Sequence, residues 1–206
     1  SAAMKGTVIA HNFGVPNWGA QQTLRVLELG REKPELLFGR VTKAFFLVTQ
    51  RQLGRFTGSL PESEGSPRYE VHDGKLTLNG RFPRPGRLTR LCGYSSACSW
   101  FRRHFLREAY KHPKPEEFAA LVAGIQEQLR GRYRVRLTAI CWDAGDPEMD
   151  AVAKALSTAG IDVILVHNAL PGLRKGDDEW VFPVQRHPNA RAAETLAKYL
   201  ADRLRG

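Results

Sequence analysis

The chain lacks several features that would narrow its function at once. It has no apolar run of membrane-spanning length, so a transmembrane helix is not expected. No internal repeat or low-complexity tract is present, which argues against a solenoid or a linker-rich array. Its cysteines, Cys92, Cys98 and Cys141, are three in number and form no repeating framework. That pattern suits free thiols in a reducing compartment, with a Cys92–Cys98 pair as the alternative. The spacing of Cys92 and Cys98 fits no common zinc pattern, so no metal site is expected. There is no G-x-G-x-x-G sequence and no P-loop, so no nucleotide cofactor is implied. No signal peptide is visible. Ser1-Ala2-Ala3-Met4 reads as an expression remnant ahead of a native start at Met4, and a cytoplasmic protein is expected.

Acidic residues are also scarce. There are 21 Asp and Glu against 31 Lys and Arg, a formal net charge of +10. Between Arg81 and Arg136 there are 13 Lys/Arg and 4 Asp/Glu, so that stretch supplies +9 of the total. A polyanion site is the functional reading of such a segment, and a basic solvated surface is the plain one. No nucleic-acid motif accompanies the charge.

What remains is ordinary globular material. With 206 residues, 42% of them hydrophobic, the chain can bury one α/β core. Thr7–Ala10, Ala44–Val48, Val135–Trp142 and Ile161–Val166 are short apolar runs rich in β-branched residues, which predict buried strands. Ala44–Val48 is expected to be buried on both faces. Helices are expected from Ala20 to Leu29, with Gly30 as the stop, and from Ser95 to Tyr110. Further helices are expected from Pro115 to Arg130, after Asp146-Pro147, and over the last residues of the chain. The last of these has Ala193, Leu196, Ala197, Leu200 and Leu204 on its apolar side and Asn189 as N-cap. Arg68–His72 and Lys75–Asn79 flank Asp73-Gly74, a strong hairpin signal. The pattern predicts a three-layer α/β/α parallel sheet in one domain, residues 4–206, with an insertion at about 57–130 holding the hairpin and two helices.

In such sheets the chemistry gathers at the carboxyl ends of the strands. The residues delivered there are Asn12–Gly19, Thr49–Gln52, Trp142–Asp146, His167–Asn168 and Gln185–Asn189. Glycines after a strand expose backbone N–H groups that suit an oxyanion or a phosphate. His187 stands between a strand-like segment and the last helix, where a general base is placed; a capping or core histidine is the plain reading. Asp143 and Asp146 would orient a base or bind a cation, or more simply Asp146 caps its helix and Asp143 is solvated.

Two blocks in this order resemble a known family. Asn12-Phe13-Gly14-Val15-Pro16-Asn17-Trp18-Gly19-Ala20-Gln21-Gln22 is similar to the second block of the SGNH (GDSL-type) hydrolases. His187-Pro188-Asn189-Ala190 resembles their last block. The resemblance implies a flavodoxin-like sheet and a serine esterase or deacylase acting on acyl or acetyl esters. It implies His187 as the base and Gly19 as an oxyanion donor, with Asn12 in the substrate-binding loop. Gln50 would stand in for the family's asparagine through its side-chain amide. The chain departs from the pattern elsewhere. No serine block precedes Thr7, and Gln185 stands where an aspartate is expected, so the imidazolium would lose a stabilising charge. Ser95, Ser96 and Ser99 sit in the insertion, away from the sheet's turns. Without the family's first strand, either the strands close ranks, a second copy fills the gap, or the chain begins further upstream.

Two readings follow. One is an SGNH-hydrolase-like protein, impaired as given, for a small-molecule or glycan ester. The other is a non-catalytic relative that binds an anionic glycan, nucleic acid or protein through its basic surface.

Overall fold

The structure is a computed structural model that describes residues 14–31, 41, 43–58, 60, 63–83, 114–175, 178–182 and 188–205. Several readings lie outside these residues: the strand at Thr7–Ala10, Asn12, the helix at Ser95–Tyr110 with its serines, Cys92, Cys98, Gln185 and His187.

The described strands are β1 (Lys43–Val48), β2 (Pro67–His72), β3 (Lys75–Arg81), β4 (Arg136–Cys141) and β5 (Asp162–Leu165). The helices are α1 (Ala20–Glu28), α2 (Gln50–Phe56), α3 (Pro115–Tyr133), α4 (Pro147–Thr158) and α5 (Ala190–Arg205). The molecule is an α/β protein. β1, β4 and β5 form a parallel sheet in that order, and β2 and β3 form an antiparallel hairpin. The hairpin turns at Asp73 (φ 50°) and Gly74 (φ 73°), the two left-handed positions that an Asp-Gly pair supplies.

Three of the described helices carry local start signals. Asp146 Oδ1 accepts from the Glu148 N–H at 2.9 Å, and Pro147 opens α4. Asn189 Oδ1 accepts from the Ala192 N–H at 2.9 Å, which makes Asn189 the cap of α5 as expected. α3 has Pro115, Glu116 and Glu117 at its start and Arg130 and Arg132 at its end, an order that complements the helix dipole. It ends at Arg134, which holds a left-handed conformation (φ 58°) where glycine is the common choice.

The sheet's two faces are covered unequally. On the first, Ala44, Phe46 and Val48 of β1 and Leu137, Ala139 and Cys141 of β4 join the core made with α1 to α4. Phe118, Leu121, Val122 and Ile125 of α3 are almost wholly buried there, and Phe118 meets Phe56 edge to face at 5.9 Å. α3 approaches so closely that a Cβ on Gly124 would lie 3.3 Å from side-chain carbons of both Leu24 and Leu76. At the rim of this face the buried Tyr69 donates its hydroxyl to Glu28 Oε2 at 2.7 Å; burial first, and then that carboxylate, raise its pKa. On the second face, Ile140, Ile164 and Val166 pack with Leu170, Leu173, Trp180 and Ala192.

Two expectations are corrected, and one unforeseen element is added. β1 is not buried on both faces: Phe45 and Leu47 are 41% and 48% exposed, because among the described residues the second-face cluster around α5 stops at β4. The inward side of α5 is Ala192, Leu196, Tyr199 and Leu200, while Ala193 and Ala197 face outward. Leu196 and Leu200 lie on the expected side, and Ala192 and Tyr199 complete the stripe where Ala193 and Ala197 are expected. Finally, Gln50–Phe56 is helical, although Gly54 and the polar run Gln50-Arg51-Gln52 hid the Leu53/Phe56 pair that docks it. No described helix is long and apolar enough to cross a membrane.

Removing the Phe118 ring opens a cavity in the first-face core. Phe118→Ala should lower the unfolding free energy by about 3–5 kcal/mol, whereas Leu47→Thr should change it by about 0.5 kcal/mol or less. Urea denaturation checks both; an equally large loss for Leu47→Thr would mean that the second face of β1 is covered.

Candidate functional site

Two polar clusters lie at the carboxyl end of the parallel sheet. The first is built around Gly19. Val48 ends β1, and α2 follows at once from Gln50. From α2, Arg55 Nη1 donates to the Trp18 carbonyl at 3.0 Å and Gln52 Nε2 donates to the same oxygen at 3.4 Å. Gln21, fully buried on α1, donates to the Arg55 carbonyl at 2.8 Å, and Ser63 Oγ donates to it at 3.1 Å. The oxygens Gln21 Oε1 and Gln52 Oε1 are buried and find no donor among the described residues. A Cβ at position 19 would lie 2.5 Å from Gln21 Oε1, so a side chain there would displace Gln21. The Gly19 N–H itself donates to Gln22 Oε1 at 2.8 Å, closing the first turn of α1.

The amide that meets the Gly19 loop is therefore that of Gln52. Gln50 is exposed as the first residue of α2. The helix itself explains this: once α2 starts at Gln50, the residue two positions on projects to a different side.

The second cluster is built around Asp143. The Trp142 N–H donates to the Val48 carbonyl at 2.9 Å, which carries the β1–β4 ladder one step past Cys141. Asp143 then turns inward and is fully buried, so the solvated carboxylate suggested by sequence is corrected. Its Oδ1 accepts from the His167 N–H at 3.1 Å. Its Oδ2 accepts from the His167 ring at Nδ1 and from Arg174 at Nε (3.0 Å) and Nη2 (2.9 Å). Arg174 Nη2 also pairs with Asp150 on α4. A carboxylate only accepts, so Nδ1 of the His167 ring carries a proton toward Asp143, and Nε2 lies across the ring from it. The turn is tight: Gly145 has φ 78°, and a Cβ there would lie 2.7 Å from the Arg174 carbonyl.

Strand register explains why this pair meets. Cys141 and Leu165 are register partners on adjacent parallel strands. Asp143 and His167 each follow by two residues, so equal offsets bring them side by side. Arg174 follows no such register, since it arrives on a short turn, Leu173–Lys175, after Gly172.

Cys141 lies beneath the cluster, fully buried. Burial first, and then the Asp143 carboxylate, push its thiol up to about 12 from an ordinary value near 9. Such a thiol is unreactive at neutral pH. Among the described residues, no three His, Cys, Asp or Glu side chains gather to hold a metal. The described serines are Ser63, Ser66 and Ser157, and none follows a strand of the parallel sheet.

No family model, curated protein or solved structure matches the chain. The class that fold and site define is an α/β domain with two polar clusters at its strand ends.

Asp143→Asn removes the charge facing Arg174 while keeping its shape. It should lower stability by about 1–3 kcal/mol, the smaller range applying because Arg174 is itself partly exposed. Thermal unfolding of the two proteins measures this, and an unchanged midpoint would show that Asp143 holds nothing together. Folding favours the neutral Cys141 thiol. Its contribution is therefore complete below the ordinary thiol pKa and is lost as pH rises from near 9 through about 12. Urea titrations across that window should show a fall in stability that Cys141→Ala makes shallower, the remainder coming from Tyr69, whose pKa is also raised.

Proposed function

We propose that this chain is an SGNH-type hydrolase domain, impaired in catalysis as its sequence stands, on a flavodoxin-like sheet in a reducing, cytoplasmic setting. On this reading it derives from an esterase or deacylase for a small acyl or acetyl ester and lacks the full machinery to cleave one. Support for the family comes from the Gly19 loop, which enters a helix beside the exit of β1. The observation that carries the impairment is the Gly19 N–H. In an oxyanion hole that group points at the developing charge. Here it is committed to Gln22 Oε1 at 2.8 Å. The partner amide, Gln52, is likewise turned to the Trp18 carbonyl.

A second reading is favoured by one observation, the Asp143–His167 pair. A ring held by a buried carboxylate at Nδ1 is arranged as a general base through Nε2. On that reading the domain hydrolyses esters with His167 in the place the family gives to His187.

Turnover of short acyl esters and labelling by a fluorophosphonate distinguish these. The impaired domain should give neither. Turnover abolished by His187→Ala would establish a working enzyme of the family type. Turnover that survives His187→Ala and is abolished by His167→Gln would assign the chemistry to the Asp143 pair.

A further inference from the structure

The amino end of the parallel sheet, opposite the polar clusters, carries a concentration of positive charge. Lys43 opens β1 and Arg136 opens β4, and the register sets them directly opposite each other. Arg134 precedes β4, and Arg130 and Arg132 close α3. Arg132 Nη2 donates to the Glu28 carbonyl at 3.2 Å, and its Nη1 lies 3.4 Å from where a Cβ on Gly30 would be, which brings Arg31 to the same place. All six side chains are exposed. The nearby acids are engaged elsewhere or lie to one side: Glu28 holds Arg25 and Tyr69, Asp162 accepts from Thr138, and Glu127 lies a turn back on α3.

Two features of this surface oppose stability. Like charges directly opposite on neighbouring strands repel. A non-glycine residue in the left-handed region costs about 1 kcal/mol relative to glycine, and Arg134 sits there with φ 58°. Both occur in one patch, and both keep a cation where a neutral residue or a glycine would serve the fold better. Backbone outliers of this kind gather at working surfaces.

We infer that this surface docks the phosphodiester backbone of a nucleic-acid duplex. Five of the six cations are arginines, whose planar forks take phosphate oxygens two at a time. Binding to single strands relies on exposed rings that stack with bases. Tyr133, the one aromatic among Arg130–Arg136, is instead packed against the core. Phe45, exposed on the same face of β1 as Lys43, offers one ring and not the row of rings that successive bases need. With guanidinium groups in the majority among the described residues, the patch reads shape and charge along a backbone and not base identity. The carboxyl-end clusters take no part, so this inference stands or falls apart from the hydrolase reading.

Fluorescence anisotropy with a labelled duplex of about 20 base pairs, between about 50 and 200 mM salt, tests it. Five or six phosphate contacts predict a slope of log affinity against log salt of about −4.5 to −5.4. The triple variant Lys43→Ala/Arg134→Gly/Arg136→Ala should weaken binding at least about tenfold and flatten the slope by about 2.7, at about 0.9 per contact. A control, Lys75→Ala/Lys154→Ala/Lys198→Ala, removes as much charge elsewhere and should stay within about twofold of the parent, the level expected if those lysines make no phosphate contact. Arg136→Gln alone should flatten the slope by about 1, which keeps the test available should the triple variant not fold. Absence of duplex binding at low salt would overturn the inference. So would equal losses in the triple variant and the control, or a clear preference for heparin or anionic vesicles over duplex.

Discussion

A carboxylate withdrawn from water is tolerated only where donors surround it. Asp143 meets that condition with four donors: the His167 N–H, the His167 ring, and two groups of Arg174. Because every donor comes from after β5, the carboxylate ties the exit of the middle strand to the exit of its neighbour and to the turn at Leu173–Lys175. The rest of the carboxyl end conforms to this. Gly145 has no room for a side chain, and Asp146 then starts α4 in a direction that lets Asp150 reach Arg174. The segment from Leu170 to Trp180 follows, with Trp180 Nε1 donating to the Pro171 carbonyl at 2.7 Å and Arg191 of α5 lying over the indole.

The two ends of the sheet are thus built by opposite rules. At the carboxyl end a negative group is buried and fully partnered, and the peptide groups around it are held in place. At the amino end positive groups crowd together in water, and the fold bears their mutual repulsion. Solvent makes that arrangement tolerable, because exposed charges interact weakly through a high dielectric. Separating the two kinds of electrostatics by the length of the strands keeps one from perturbing the other.

Elements that speak through strict periodicity or a turn dipeptide were legible in the sequence. The α3 face of Phe118, Leu121, Val122 and Ile125, the Asp73-Gly74 hairpin, and the Asp146 and Asn189 caps are all local signals. What local sequence could not supply was coverage. The run Ala44–Val48 has the composition of a strand buried on both sides, and only the reach of α5 decides that Phe45 and Leu47 face outward. The site follows the same division. Gly19 is recognisable because a glycine in a loop before a helix is informative by itself. Whether its N–H is available depends on a side chain three residues away. The pairing of Asp143 with His167 needed the register of two strands, which composition does not encode, and Arg174 arrives through a loop with no pattern at all.

The position of Cys141 has a consequence for how the molecule ages. Its sulfur lies in the middle strand, sealed by both neighbours and by the first-face core. Oxidants act on thiolates they can reach, and in the closed molecule this sulfur is neither reachable nor ionised. It becomes vulnerable only when β4 separates from its partners, an opening that belongs to the sheet as a whole and not to a frayed edge. Oxidation at this one atom would therefore record that a molecule had already come apart, and a bulky, polar sulfur in the strand's place would keep it from closing again.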